Sequence, residues 1–181
     1  MYADHFRRLQ LEPQLTRACV SEALREVMRR RMVCNGRASP ADFLAAANAV
    51  LCKIRRVSAA ERRLLSIAIY RGARRFIASP LGRRLLSIDA SCLITAPECS
   101  TGADVIVRDR SGRLHAVGIT TASEPLLAGA EASQLVNDLR LAGYMTFSPV
   151  RVHLFSLSTG CRFSFDRVGS VEWPPAAARV A

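Results

Sequence analysis

The carboxylates, histidines, serines and arginines set the range of chemistry open to this chain. Asp104 stands just before the apolar run Val105-Ile106-Val107 and close to Gly102, a setting that suits either an aspartate ending a loop or a carboxylate presented at the start of a strand. His115 and His153 each fall in an alternating apolar segment. His115 is expected at a strand edge, His153 on a strand surface, and neither is expected to have a nucleophile partner. Ser100 and Ser111 lack the Gly-x-Ser-x-Gly context of an activated serine. No GxxxxGK[ST] or GxGxxG loop occurs, so no nucleotide cofactor is expected. Cys19, Cys34, Cys52, Cys92, Cys99 and Cys161 form no Cys-x-x-Cys pair and no Cys/His group of zinc spacing, which points to buried, reduced thiols.

These side chains need elements to position them. Residues 13–32 have an approximate helical stripe of apolar positions, with Pro13 suited to a first turn, and Asn35-Gly36 ends it. Ser39-Pro40 starts a second helix over 41–54, and the capping-box pair Ser58 and Glu61 opens a third that runs to about Ala78. Ser79-Pro80-Leu81-Gly82 reads as a break, after which 85–95 reads as a strand. Segments 103–107 and 114–121 are strands joined by the turn Asp109-Arg110-Ser111-Gly112, and 125–144 is a helix. Segments 151–157 and 161–166 are strands around Ser158-Thr159-Gly160. A helix between strands permits a mixed sheet with a crossover.

From Glu61 to Asp166 this order resembles the α-β-β-β-α-β core of the PD-(D/E)xK nucleases, in particular the RecB-like branch. The carrying stretch is Gly102-Ala103-Asp104-Val105-Ile106-Val107, then Arg108 to Arg113, then Leu114-His115-Ala116-Val117-Gly118-Ile119-Thr120-Thr121. The resemblance implies an α/β, restriction-endonuclease-like mixed sheet flanked by helices, with an N-terminal helical extension. It also implies a carboxylate at Asp104, with the acid and lysine positions falling at Gly118 and Thr120, which supply neither group. Gly118 and Thr120 would share a face beside Asp104, while Val117 and Ile119 point into the core. Catalysis in the family uses carboxylates to hold Mg²⁺, which activates water, beside a lysine that stabilises charge. Carboxylates relocated to Glu61, Glu98, Glu124 or Glu131 are the candidates for completing such a site, with Asp104 and Glu98 as metal ligands if it is active. Gln134 and Tyr144 match the glutamine and tyrosine that recur on the family's following helix.

Charge supplies the second functional indication. The formal net charge is +11, and residues 1–85 hold 18 Lys/Arg against 6 Asp/Glu, whereas residues 86–181 hold 8 against 9. A one-sided basic field attracts polyanions, nucleic acid above all, and Arg63, Arg71, Arg74 and Arg75 of the third helix are its candidate contacts. Arginine outnumbers lysine 25 to 1, so a solvated basic surface is the plainer alternative. The expected organisation is a basic helical extension over 1–57, a nuclease-like core over 58–173 and a flexible tail over 174–181. No apolar run reaches the roughly 20 residues of a membrane helix and no signal peptide is evident, so a cytoplasmic protein is expected. The expectation is a nucleic-acid-binding domain, for DNA or RNA, without robust hydrolysis and without a cofactor. It would be accessory to DNA repair, defence or a mobile element. The alternatives are a divergent Mg²⁺-dependent nuclease built on Asp104, and a protein-interaction module with a basic face.

Overall fold

The computed structural model describes residues 2–34, 38–54, 57–94, 103–143 and 150–166. Local signals set the helix starts. Helix α2 (Pro40–Lys53) opens on a capping box between Ser39 and Asp42, and α3 (Ala59–Ala78) on one between Ser58 and Glu61, where Ser58 N donates to Glu61 Oε2 at 2.8 Å. Helix α1 (Tyr2–Cys34) starts well before Pro13, which lies inside it. Proline keeps a helix-compatible φ and removes one amide donor, so the helix continues through it at a cost rather than beginning there.

The expected strand over 85–95 is largely helix. Helix α4 (Pro80–Ser87) is followed by a 3-10 turn, Ala90–Cys92, and among the described residues of this segment only Leu93–Ile94 form a strand, β1. Ser79-Pro80 repeats the start signal of Ser39-Pro40: Ser79 Oγ accepts from Gly82 N at 3.0 Å. Leu81, Leu85 and Leu86 then fall on one buried helical face. The apparent break is a helix-to-helix corner. Arg31 of α1 fixes its far end, donating to the carbonyls of Leu85, at 2.8 Å, and Ile88.

The five-stranded sheet has the order β1-β2-β3-β4-β5, with β2 Val105–Arg108, β3 Leu114–Thr120, β4 Val150–Ser156 and β5 Arg162–Asp166. All neighbours are antiparallel except β3 and β4, which run parallel from Leu114↔Val150 to Thr120↔Ser156. A parallel pair needs a crossover, and α5 (Pro125–Leu141) supplies it. Both faces are covered. Val105, Val107, Val117, Ile119 and Phe155 pack with the apolar faces of α1 to α4, whereas Ile106, Ala116, Val152, Leu154 and Phe163 pack with Leu135, Val136 and Leu139 of α5.

An aromatic column ties helices to sheet. Phe43 and Phe76 rings lie 5.5 Å apart, and Phe76 meets Phe155 edge-on at 5.3 Å. Burial of each such ring stabilises by about 1.5–3 kcal/mol. Because Val20, Ala23 and Leu24 of α1 share this cluster with β2, β3 and β4, position 57/58 does not divide two cores. No helix among the described residues is long and apolar enough to cross a membrane. The tail over 174–181 lies outside the described residues.

Gly82 gives this packing a sharp test. A Cβ there would stand 2.0 Å from the Phe76 carbonyl oxygen, whereas one at Gly72 would meet side-chain methyls alone, the nearest being Leu157 Cδ2 at 3.3 Å. Gly82→Ala is expected to lower stability by about 2–3 kcal/mol or more, and Gly72→Ala by less. Urea denaturation measures both, and equal small losses would contradict the tight corner between α3 and α4.

Candidate functional site

Asp104 stands at the start of β2, one register step beyond the Val105↔Val117 pair and so opposite Gly118. Its N–H donates to Val117 O at 2.8 Å and its Oδ2 accepts from Ile119 N at 2.7 Å, so the residue grips β3 on both sides of Gly118. Helix α1 completes the shell. Ser21 Oγ donates to Oδ2 at 3.1 Å, and Arg25 Nη2 lies 2.9 Å from Oδ1. Ser21 and Arg25 are four residues apart, hence on one helix face, and Arg17 one turn earlier reaches Glu131 Oε2 of α5 at 3.2 Å. That last contact is an ion pair without hydrogen-bond alignment.

Asp104 is only 5% exposed. Burial pushes its carboxyl above the usual carboxylate range, against the opposing pull of Arg25, the Ile119 N–H, Ser21 and Arg17. A Mg²⁺ ligand needs a free carboxylate oxygen and room for several waters. Here both oxygens are met by protein donors, and the positive charge comes from a guanidinium that stays protonated.

The remaining expected residues separate clearly. Gly118 and Thr120 neighbour Asp104 and are buried within the sheet. Thr120 Oγ1 accepts from Ala122 N at 2.9 Å, which ties it to the strand end. Glu61 is engaged at the α3 cap, and Gln134 is exposed, donating to Asp138 Oδ1 at 2.9 Å. Glu98 and Tyr144 lie outside the described residues. Asp104 and Glu131 are therefore brought to one arginine-bearing face of α1, while Glu61 and Gln134 are occupied elsewhere. Among the described residues, no group of three or more His, Cys, Asp and Glu side chains gathers to hold a metal ion.

The arginines of α3 also divide. Arg75 does not extend the exposed patch alone, as expected, but clamps the β4–β5 turn, donating to Leu157 O at 3.1 Å and Ser158 O at 3.2 Å. Arg62 holds Leu51 O and Ile54 O at the end of α2. Arg63, Arg71 and Arg74 are exposed, and among the described residues they make no ion pair. Arg74 lies over the Tyr70 ring at 5.5 Å. Ser66, Ile67, Tyr70, Arg71, Arg74 and Arg75 line an open groove along this helix.

A second constellation was not expected. His115 Nε2 lies 3.0 Å from Asp109 Oδ2, His115 Nδ1 lies 3.2 Å from His153 Nε2, and His153 Nδ1 lies 2.9 Å from Ser164 Oγ. Against the expectation that neither histidine has a nucleophile partner, His153 has a hydroxyl within hydrogen-bond distance. The signal was present: strands around Ser158-Thr159-Gly160 pair His153 with Ser164 once the hairpin register is drawn. Asp109 sits in the β2–β3 turn, its carboxyl held well below the usual range by Ser111, His115 and the N–H groups of Arg113 and Ser111. His153 is lowered to about 4 by burial first, then by His115, Arg162 and Arg151, with Asp166 opposing. For Ser21 and Arg25 no local sequence signal existed.

Comparison with models of protein families, with curated proteins and with solved structures finds no match. The geometry of the two clusters makes two predictions. Arg25→Met strands a buried carboxylate and is expected to destabilise the protein by about 2 kcal/mol, less than for a fully buried pair because Arg25 is part-exposed. Asp104→Asn added to it should restore much of the loss, and a double variant no more stable than Arg25→Met would contradict the pairing. The second concerns pH. His153 has its folded-state pKa near 4, below its ordinary 6.5, so the unfolded chain binds more protons in that window. Stability should fall as pH drops from about 6.5 towards 4, and His153→Asn should flatten the slope in denaturant titrations. An unchanged slope would show that His153 does not titrate abnormally.

Proposed function

We propose that this chain binds DNA or RNA through the exposed face of α3 and does not hydrolyse it, acting as a nuclease-like accessory domain in the cytoplasm. A division among arginines supports this reading. Arg25 is locked onto the one acid of the nuclease-like motif, whereas Arg63, Arg71 and Arg74 stand exposed with no acidic partner among the described residues. The resemblance to the PD-(D/E)xK core is supported by the order α3, β1 to β3, α5, β4, with α4 and a 3-10 turn inserted before β1, and by the parallel β3–β4 pair. Within that arrangement the metal-holding acid is neutralised by protein, the acid position is Gly118 and the lysine position is Thr120. Phosphodiester cleavage then lacks both the metal site and the ammonium group. The expected role in DNA repair, defence or a mobile element rests on the family analogy.

The exposed arginines would contact phosphates without reading bases, which gives salt-sensitive, sequence-indifferent binding. Fluorescence anisotropy with labelled DNA and RNA oligonucleotides should show affinity falling steeply with salt. Joint replacement of Arg63, Arg71 and Arg74 by alanine should weaken binding by about tenfold or more. Incubation with Mg²⁺ or Mn²⁺ should leave every substrate intact. Cleavage lost on Asp104→Ala would instead establish a divergent nuclease. Absence of binding at low salt would leave the α3 face, with Leu64, Ile67 and Tyr70 half or more exposed, as a surface for a protein partner.

A further inference from the structure

The chain of side chains from Asp109 to Ser164 has only one consistent direction when both imidazoles are neutral. The Asp109 carboxylate accepts only, so His115 Nε2 carries a proton and its Nδ1 is an acceptor. His153 Nε2 must then donate to His115 Nδ1, which leaves His153 Nδ1 to accept from the Ser164 hydroxyl. The rings are within 9° of parallel with centroids 5.4 Å apart. Since the facing nitrogens are 3.2 Å apart, the centroid separation exceeds theirs by nearly two ring radii, so the rings meet edge to edge. The geometry is that of an in-line hydrogen bond rather than of packed faces.

We propose that Ser164 is a hydroxyl nucleophile for acyl transfer from small carboxylic esters, with His153 as its base and His115 and Asp109 as positioning residues behind it. Ser164 and His153 are both part-exposed, so a small ester reaches them. Arg162, two residues before Ser164 on β5, shares its face and makes no ion pair among the described residues, so it meets negative charge developing at the carbonyl oxygen.

Ser164 Oγ forms a bond to the carbonyl carbon as its proton passes to His153 Nδ1, and the Nε2 proton of His153 passes to His115 Nδ1. Positive charge is disfavoured on His153 by burial first and then by His115, Arg162 and Arg151, whereas His115 Nε2 lies 3.0 Å from the Asp109 carboxylate. The chain of transfers moves it there. The tetrahedral adduct then breaks its bond to the alkoxide, which takes the proton from His153 Nδ1 while His115 returns its own to Nε2. The products are acyl-Ser164 and a free alcohol. Water repeats the sequence, releasing the acid and restoring Ser164.

This inference is independent of nucleic-acid binding. A fluorophosphonate probe and p-nitrophenyl acetate test it on the full chain. The probe is expected to label Ser164 by mass spectrometry, with no labelling in Ser164→Ala. Asp109→Asn should slow p-nitrophenol release about 10- to 100-fold and displace its pH profile, which a merely structural role would not do. His115→Gln guards against misfolding at His153 and should slow release similarly, with circular dichroism unchanged. An unlabelled Ser164 in the folded wild type, or equal hydrolysis by Ser164→Ala, would overturn the proposal.

Discussion

A carboxylate placed where two strands meet, and cut off from water, must find its counter-charge inside the protein. Asp104 is in that position, and the cost of leaving it unpaired is several kcal/mol. Its backbone and side chain bind β3 on either side of Gly118, so it fixes the pairing of β2 with β3. Arg25 and Ser21 supply the remaining partners, which obliges α1 to lie against the ends of those strands. The helix that satisfies the acid is thus the helix that closes the site. The register of β2 on β3 and the occupation of both Asp104 oxygens follow from a single contact set, with Arg17 extending the same helix face to Glu131.

Arginine usage follows a related logic. A guanidinium presents a fixed fork of donors and keeps its charge when partly buried. Arg31, Arg62 and Arg75 use that fork on main-chain carbonyls at helix or strand ends, where orphan acceptors would otherwise be left. These residues contribute to the basic composition without forming a ligand surface. Arg71 and Arg74 on the outer face of α3 are used differently, standing exposed beside Tyr70 and Ile67.

Features governed by neighbours in sequence were legible. Ser39-Pro40 and Ser58 with Glu61 start α2 and α3, and alternation locates β2 to β5. The α/β class and the mixed sheet follow from the helix between strands. Two kinds of feature were not legible. Ser79-Pro80 had the same form as Ser39-Pro40, but Gly82 looked like a breaker, whereas its missing side chain lets α4 fold tightly onto the end of α3. The Asp104 shell depends on Ser21, 83 positions away, and no periodicity links residues at that distance. The Ser164–His153 contact lies between these cases, because the hairpin register contains it.

Asp104 takes Arg25, rather than a metal ion, as its cation. Titration of the ¹⁵N-labelled protein with Mn²⁺ tests it most directly, because the paramagnetic ion broadens amide signals near any site it occupies. The account predicts that the Asp104, Gly118 and Ile119 amides stay as sharp as those of the distant sheet. Selective broadening of these three at low Mn²⁺ would show a working metal site and contradict it.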